Sequence, residues 1–285
     1  MNLAANMQQP NDNIQESKLL QLPRELRDII CGYTLYAPGG LYYYRDRPYK
    51  ASLCASEDST AEFNQLKYTC RILYYETVGL ELTSGNNLIF VFDESRKNEY
   101  MSQQPAVQFL GFLDLSSPCR QRKIRRVYLR NGFNVEDYGI RDLHLIVYWC
   151  QLHPTARVFW EFPVNYDAGQ KSPSWFLSDG LALECAMRNT SATIDRRARE
   201  LGVYLILGQI TVYREAVWRR DLREQGLGYF QKLDAMKTTI EAENFRALPY
   251  DGPLDEQAFW VGMPGTDEIK MKALELARSW YRDGF

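Results

Sequence analysis

The sequence contains little of what catalytic and metal sites usually require. Its 285 residues include only two histidines, which are too few for most histidine-based metal sites. The motifs G-x-S-x-G, G-x-x-x-x-G-K-[ST] and H-E-x-x-H are all missing, so the common hydrolase, nucleotide-binding and zinc-protease signatures are not present. We therefore expect a protein that is not an enzyme and that binds no cofactor or metal.

Charge of one sign and long hydrophobic runs are also missing. The 34 lysine and arginine residues nearly balance the 36 acidic residues, for a formal net charge of −2. This balance argues against a dedicated nucleic-acid-binding protein, because such proteins are strongly basic. No apolar run approaches the roughly 20 residues of a membrane-spanning helix, so we expect no association with a membrane. Nothing in the composition indicates an oligomeric state.

The six cysteines are widely and irregularly spaced, and no C-x-x-C pair occurs. This spacing excludes a zinc ribbon or a thioredoxin-like redox motif. Residues 1–17 are rich in asparagine and glutamine and lack a basic stretch followed by an apolar core. We therefore expect a disordered tail rather than a secretory signal, a cytoplasmic or nuclear location, and reduced thiols.

Helices and strands are predicted to alternate along most of the chain. Leucine and isoleucine at spacings of three and four predict a first helix from residue 22, and a capping box at Ser59 and Glu62 predicts a second over 60–82. An apolar strand over 88–92 follows. Further helices and strands then alternate at intervals of about thirty residues, which is typical of parallel βα units.

The expected fold is therefore α/β or α+β: a helical N-terminal region, alternating helix and strand units of an irregular leucine-rich-like kind, and a helical C-terminal third. In that last third we expect helices over 201–223 and 229–240, a loop over 249–264 and a final helix capped by Thr266. The predicted organisation is a tail over 1–17, regions over 18–93 and 94–190, and a mainly helical region over 191–285 that packs on the same core.

Aromatic residues are abundant, at 13% of the chain, and tyrosines cluster in the irregular stretch 41–58. Tyrosine and arginine are enriched in the energetically important centres of protein interfaces. This stretch is therefore a candidate partner-binding loop. The pattern equally allows a strand or hairpin that covers the core with half-buried rings. The candidate residues are Tyr42, Tyr43, Tyr44, Arg45 and Tyr49.

A second candidate is the basic run Arg120–Arg130, which holds six cations and no acidic residue. Its default interpretation is a solvated strand edge. The functional alternative is binding of an anion or nucleic acid through Arg122, Lys123, Arg125 and Arg126, with Tyr128 available for stacking.

Two signatures in the first third of the chain resemble those of a fungal F-box-like family. The first is Leu22-Pro23, Glu25-Leu26-Arg27 and Ile29-Ile30, with Tyr33 nearby. The second is Thr69-Cys70-Arg71, Tyr75-Glu76-Thr77, then Asn86 or Asn87, and Phe90-x-Phe92. The chain departs from the family pattern at Cys31, where tyrosine or tryptophan is more usual, and by the insertion over 36–59.

The resemblance implies a protein-interaction role. In F-box proteins the leucine-proline helix docks on the Skp adaptor of a cullin-RING ubiquitin ligase, while the remainder of the chain captures a substrate. The corresponding partner-binding residues here are Leu22, Pro23, Leu26, Ile29 and Ile30. Because amphipathic helices bury their own apolar stripe by default, packing of this face on the second helix is the alternative expectation.

Overall fold

A computed structural model describes residues 17–47, 50–59, 61–92, 104–130, 143–162, 172–188, 191–203, 242–249 and 254–284 of the chain. Its strands are β1 (Leu41–Arg47), β2 (Lys50–Cys54), β3 (Asn87–Val91), β4 (Arg126–Arg130), β5 (Arg157–Phe162) and β6 (Phe245–Pro249). Its α-helices are α1 (Lys18–Gln21), α2 (Arg24–Thr34), α3 (Arg71–Thr77), α4 (Pro105–Asp114), α5 (Pro118–Gln121), α6 (Leu143–Leu152), α7 (Pro173–Arg188), α8 (Ser191–Glu200), α9 (Glu256–Gly262) and α10 (Asp267–Asp283).

The six strands form one sheet in the order β2-β1-β3-β4-β5-β6. Strands β1 and β2 are an antiparallel hairpin, and every other neighbouring pair is parallel. The parallel strands follow one another across the sheet in chain order. Since parallel crossovers are right-handed, this order predicts that the described helices between successive strands, such as α4, α6 and α7, lie on the same face of the sheet. The expected α/β class, with further helices near the C-terminus, is confirmed.

One face of the sheet carries the hydrophobic core. In the register of the sheet, every second residue of a strand lies beside a residue of the next strand that points to the same face. The residues that point to the core face are fully buried in one hydrophobic cluster with side chains of α4, α6 and α7. Side chains such as Phe90, Leu129 and Trp160 form the centre of this layer. The strands contributing to it come from all three regions expected beyond residue 17.

The second predicted helix, over 60–82, is not continuous, and this expectation is wrong. The segment contains a 3₁₀ helix at Leu66–Tyr68, then α3, then a second 3₁₀ helix at Leu80–Leu82. Cys70 interrupts it with extended backbone, at φ −159° and ψ 165°. Gly79 interrupts it again in the left-handed region at φ 75°, a conformation that glycine adopts without steric cost.

One other local expectation is wrong, because the predicted loop over 249–264 contains α9. The stretch 41–58 contains the β1–β2 hairpin, which confirms the strand or hairpin alternative for it. Strand β6 was not anticipated. Thr266 does cap the last helix, accepting a hydrogen bond from the Ile269 amide. The predicted helix over 229–240, and all but 201–203 of the one predicted over 201–223, lie outside the described residues.

Within the described ranges, no helix is both long enough and apolar enough to cross a membrane.

Candidate interaction surface on the N-terminal helices

Helix α2 contacts the rest of the molecule through a narrow face. Arg27, Cys31 and Leu35 follow one another at intervals of four and point to the same side. Cys31 and Leu35 are buried, and burial raises the pKa of the Cys31 thiol. The apolar stripe of the helix lies elsewhere. At about 100° per residue, its centre is roughly 150° around the axis from this contact face.

The apolar stripe of α2 faces outward. The exposed fractions are 47% for Leu26, 54% for Ile29, 41% for Ile30 and 81% for Tyr33. The expectation that this face packs on the second helix is therefore wrong. The helix is held by its other side, which leaves four large apolar side chains accessible on one face.

An ion pair joins α2 to α3. Arg27 donates from Nε to Oε2 of Glu76 at 2.9 Å and from Nη2 to Oε1, which gives a bidentate pair. The remaining terminal nitrogen of Arg27 donates to the carbonyl of Leu22, just before the helix. The hydrogen bonds from Arg27 lower the pKa of the Glu76 carboxyl. Arg27 belongs to the first sequence signature and Glu76 to the second, so these two motifs meet in space.

The end of α2 is fixed by the buried side chain of Asn86. Its Oδ1 accepts a hydrogen bond from the Ala37 amide at 2.7 Å. Its Nδ2 donates to the carbonyls of Leu35 at 2.6 Å and Glu81 at 2.8 Å. Of the two asparagines that the second signature left open, Asn86 is thus the one that ties α2 to the sheet.

Helix α3 and the residue after it carry further exposed apolar side chains. Ile72 and Val78 are exposed, and Tyr75 has 66% of its surface accessible. The guanidinium of Arg71 lies 5.9 Å from the centre of the Tyr75 ring. Sequence reasoning did not assign these residues to a binding surface, since a long continuous helix over 60–82 left no reason to separate them from the core. We call the exposed apolar residues of α2 and α3 the α2–α3 surface: Leu26, Ile29, Ile30, Tyr33, Ile72, Tyr74, Tyr75 and Val78.

Leu22 and Pro23, the first two residues of the first signature, lie before α2 and outside its apolar stripe. Pro23 is exposed and occupies the position just before the first residue of α2, where its missing N–H leaves no donor unpaired. Leu22 is only half-buried, and its carbonyl is the acceptor for Arg27. Both flank the α2–α3 surface at the beginning of the helix.

The tyrosine candidates do not form one exposed cluster. Tyr43 is buried, with its ring centre 5.1 Å from that of Phe90 and 5.9 Å from that of Phe112. Tyr42 is half-buried, and its hydroxyl accepts a hydrogen bond from Arg130 at 3.4 Å. Tyr44 is half-buried as well. The side chain of Arg45 and the whole of Tyr49 lie outside the described residues.

The basic run is divided between different structural roles. Arg120 pairs with Glu81 at 3.3 Å and Arg130 with Glu161 at 3.0 Å, so the two ends of the run are neutralised. Tyr128 stacks on Phe159, with 5.0 Å between ring centres, and is not free to stack on a base.

The cations in the middle of the run have different contacts. Arg122, Arg125 and Arg126 are exposed, and Arg125 donates to the Thr155 hydroxyl at 2.9 Å. Lys123 lies 3.5 Å from the Val78 carbonyl. Anion binding through these four residues stays a prediction.

Among the residues that the structure describes, no three histidine, cysteine, aspartate or glutamate side chains are grouped as a metal ion would require. All six cysteines are free, and Cys119 is the exposed one.

Comparisons of the chain with protein-family models, with curated proteins and with solved structures gave no match.

Proposed function

We propose that the protein acts by binding other proteins, and that the α2–α3 surface docks on a Skp adaptor of a cullin-RING ubiquitin ligase. The observation that carries this proposal is the outward-facing stripe of Leu26, Ile29, Ile30 and Tyr33. A contiguous exposed apolar face is unusual on a monomer and is typical of an interaction site. Helix-in-groove recognition uses residues at this spacing, on one side of a helix.

The surroundings of the stripe resemble the anatomy of a protein interface. Stable interfaces have an apolar centre with aromatic residues and a polar rim. Here Tyr33 and Tyr75 supply aromatic side chains. Arg27 and Glu76 keep the two helices together beneath it. The surface is thus held in place by contacts that do not use its apolar side chains.

The adaptor proposal also accounts for the position of the two sequence signatures. Both contribute to a single unit, in which the Arg27–Glu76 pair and the Asn86 hydrogen bonds fix α2 against the sheet. In this proposal the α/β body that follows is the part that receives a substrate of the ligase. We propose no catalytic role for any residue.

The test is co-expression with a Skp adaptor followed by size-exclusion chromatography. We expect a stable complex with the wild-type chain and none with Leu26→Asp. The matched control is Leu145→Asp on α6, because Leu145 is 45% exposed and so resembles Leu26 in residue type and accessibility. Absence of a complex with the wild-type chain, or equal loss in both variants, would overturn the adaptor proposal.

A further inference from the structure

A cleft of about 520 Å³ lies on a different part of the molecule from the α2–α3 surface. It is bounded by the β1–β2 hairpin, by the C-terminal end of α4 with the turn after it, and by the 3₁₀ helix Leu66–Tyr68. Its volume falls within the range of roughly 300–1,000 Å³ that is usual for small-molecule sites.

One wall of the cleft is apolar and aromatic. Tyr43, Leu53 and Phe112 form it, and the Tyr43 and Phe112 rings meet edge to face, which fixes both. Leu115 continues this wall and is 49% exposed, although it directly follows a helix whose other large side chains are mostly buried. A hydrophobic body placed along this wall would remove the exposed leucine from water.

Beside this wall lie buried hydrogen-bond donors that have few partners. The guanidinium of Arg120 lies over Phe112, 5.6 Å from the ring centre, and donates to Glu81 at 3.3 Å through Nη2. Its Nε has no hydrogen-bond partner among the described residues, and neither has the hydroxyl of Ser116, a residue that is only 7% exposed. A guanidinium carries five N–H donors in a planar arrangement that matches a carboxylate or a phosphate.

The unpaired donors of the cleft, rather than its net charge, favour an anion over a neutral ligand. Lys67 and Arg120 are the two cations that line it, and each is paired with a carboxylate, Lys67 with Glu62 and Arg120 with Glu81. Glu62 is already occupied, because its oxygens accept hydrogen bonds from Lys67 and from the Tyr68 hydroxyl. These bonds spread the negative charge of Glu62 over two donors, so it opposes an incoming anion less than a free carboxylate would. A neutral apolar ligand would leave the donors of Arg120 and Ser116 buried without partners, which is unfavourable.

We propose that this cleft binds a small molecule with an anionic head group on an apolar body. The head group accepts hydrogen bonds from Arg120 and Ser116, and the body lies along the wall formed by Tyr43, Phe112 and Leu115. Arg120 keeps its contact with Glu81 through one nitrogen while the others serve the ligand. The cleft and its ligand are independent of adaptor docking.

The experiment is a titration of the full chain with three probes, in which ligand-observed NMR measures binding. The probes are 2-naphthoate, 2-naphthyl phosphate and the neutral analogue 2-naphthamide. We expect saturable binding of at least one anion, and binding of the amide weaker by about tenfold or more, because charge-assisted hydrogen bonds are the stronger kind. The two anionic probes distinguish a carboxylate ligand from a phosphate ligand.

Variants locate the binding. Arg120→Met should lower the affinity for the anionic probe by about tenfold or more. Arg122→Met, at an exposed arginine outside the cleft, should leave this affinity unchanged. Loss of Arg120 deprives Glu81 of its cationic partner and leaves it the hydrogen bond from Asn64. Leu115→Glu is therefore a second variant, which leaves the Arg120–Glu81 pair intact and places a negative charge at the rim. Leu26→Asp should bind the probe normally. No saturable binding of either anion, equal binding of the amide, or insensitivity to both cleft variants would overturn the proposal.

Discussion

Helices α2 and α4 are of similar length and rich in large apolar residues, but they place them in opposite environments. Helix α4 buries Phe109 and Phe112 against the sheet, whereas α2 exposes Leu26 and Ile29. The difference lies in which face each helix uses for attachment. Helix α4 packs with its apolar side, and α2 packs with the side that carries Arg27 and Cys31. An apolar stripe therefore shows that a helix has a face to bury, but does not show whether this chain buries it.

The comparison separates stability from binding. The core residues around β3 and α4 should determine the free energy of unfolding, because their burial removes apolar surface from water within the chain itself. The α2–α3 surface should contribute little to folding and much to association. Substitutions in the core should then lower the free energy of unfolding, whereas substitutions in the α2–α3 surface should lower the affinity for the partner and leave the free energy of unfolding almost unchanged.

The largest effect on stability is expected for Phe90→Ala. Phe90 is fully buried, and its ring contacts those of Tyr43, Phe109 and Phe112. Removing a buried aromatic ring usually costs about 3–5 kcal/mol of unfolding free energy. Urea denaturation would measure it, with Tyr33→Ala as the exposed aromatic control. Similar losses in the two variants would remove the distinction between core and surface.

A smaller loss is expected for Asn86→Ala, which removes the attachment of α2 to the sheet. The substitution leaves the Ala37 amide and the Leu35 carbonyl without their partner, and unpaired buried groups cost about 1–3 kcal/mol. Asn87→Ala is the control, because Oδ1 of Asn87 has no hydrogen-bond partner among the described residues. Denaturant midpoints would rank the two variants by their loss of unfolding free energy. A larger loss for Asn87→Ala than for Asn86→Ala would contradict the assignment of Asn86 as the residue that attaches α2.

Substitutions in the stripe itself should leave the fold almost unchanged. We expect Leu26→Asp and Ile29→Asp to lower the unfolding free energy by less than about 1 kcal/mol each, as is usual at exposed helical positions. Thermal or urea unfolding of the isolated protein would measure this change. A loss comparable to that of Phe90→Ala would mean that the stripe is buried in solution.

The ion pair beneath the surface should give a small pH dependence. Arg27 lowers the pKa of Glu76 in the folded protein, so the pair stabilises the fold above the unfolded-state value of about 4.3. This contribution is lost as the pH falls through the folded pKa, where Glu76 becomes protonated. The difference in unfolding midpoint between the wild type and Glu76→Gln should therefore shrink from pH 7 to pH 3. A difference in unfolding midpoint that stays constant from pH 7 to pH 3 would contradict the contribution of the Arg27–Glu76 pair to stability.

Regular, locally encoded features could be predicted from the sequence. The strand over 88–92 and the final helix follow from an apolar run and from the Thr266 cap, and the structure has β3 and α10 at these places. Alternation of helices with strands also sufficed for the α/β class. These features depend on residues that are close together in the chain.

The features that were missed depend mostly on distant contacts. Strand β6 is defined by its pairing with β5, and Asn244 just before it donates to the carbonyls of Cys150, His153 and Ala156. Such partners leave no local pattern. Helix α9 is different, because Asp255 caps it by accepting from the Ala258 amide, and this signal was available in the sequence.

The candidate site shows the same division. The stripe on α2 was visible as a periodic pattern, but its exposure depends on how Arg27 and Glu76, 49 residues apart, orient the helix. The tyrosines of the hairpin were visible as a composition bias, but strand register decides that Tyr43 enters the core while its neighbours do not. A shift of one residue would exchange these roles.

The most direct test of the α2–α3 surface is calorimetric titration of the purified protein with a Skp adaptor. We expect the wild type to bind, and Ile29→Asp to bind at least about thirtyfold more weakly, which corresponds to the roughly 2 kcal/mol of an interface hot spot. Val261→Asp, at an exposed residue of α9, should bind like the wild type. A wild-type protein that does not bind, or an Ile29→Asp protein that binds equally well, would contradict the account.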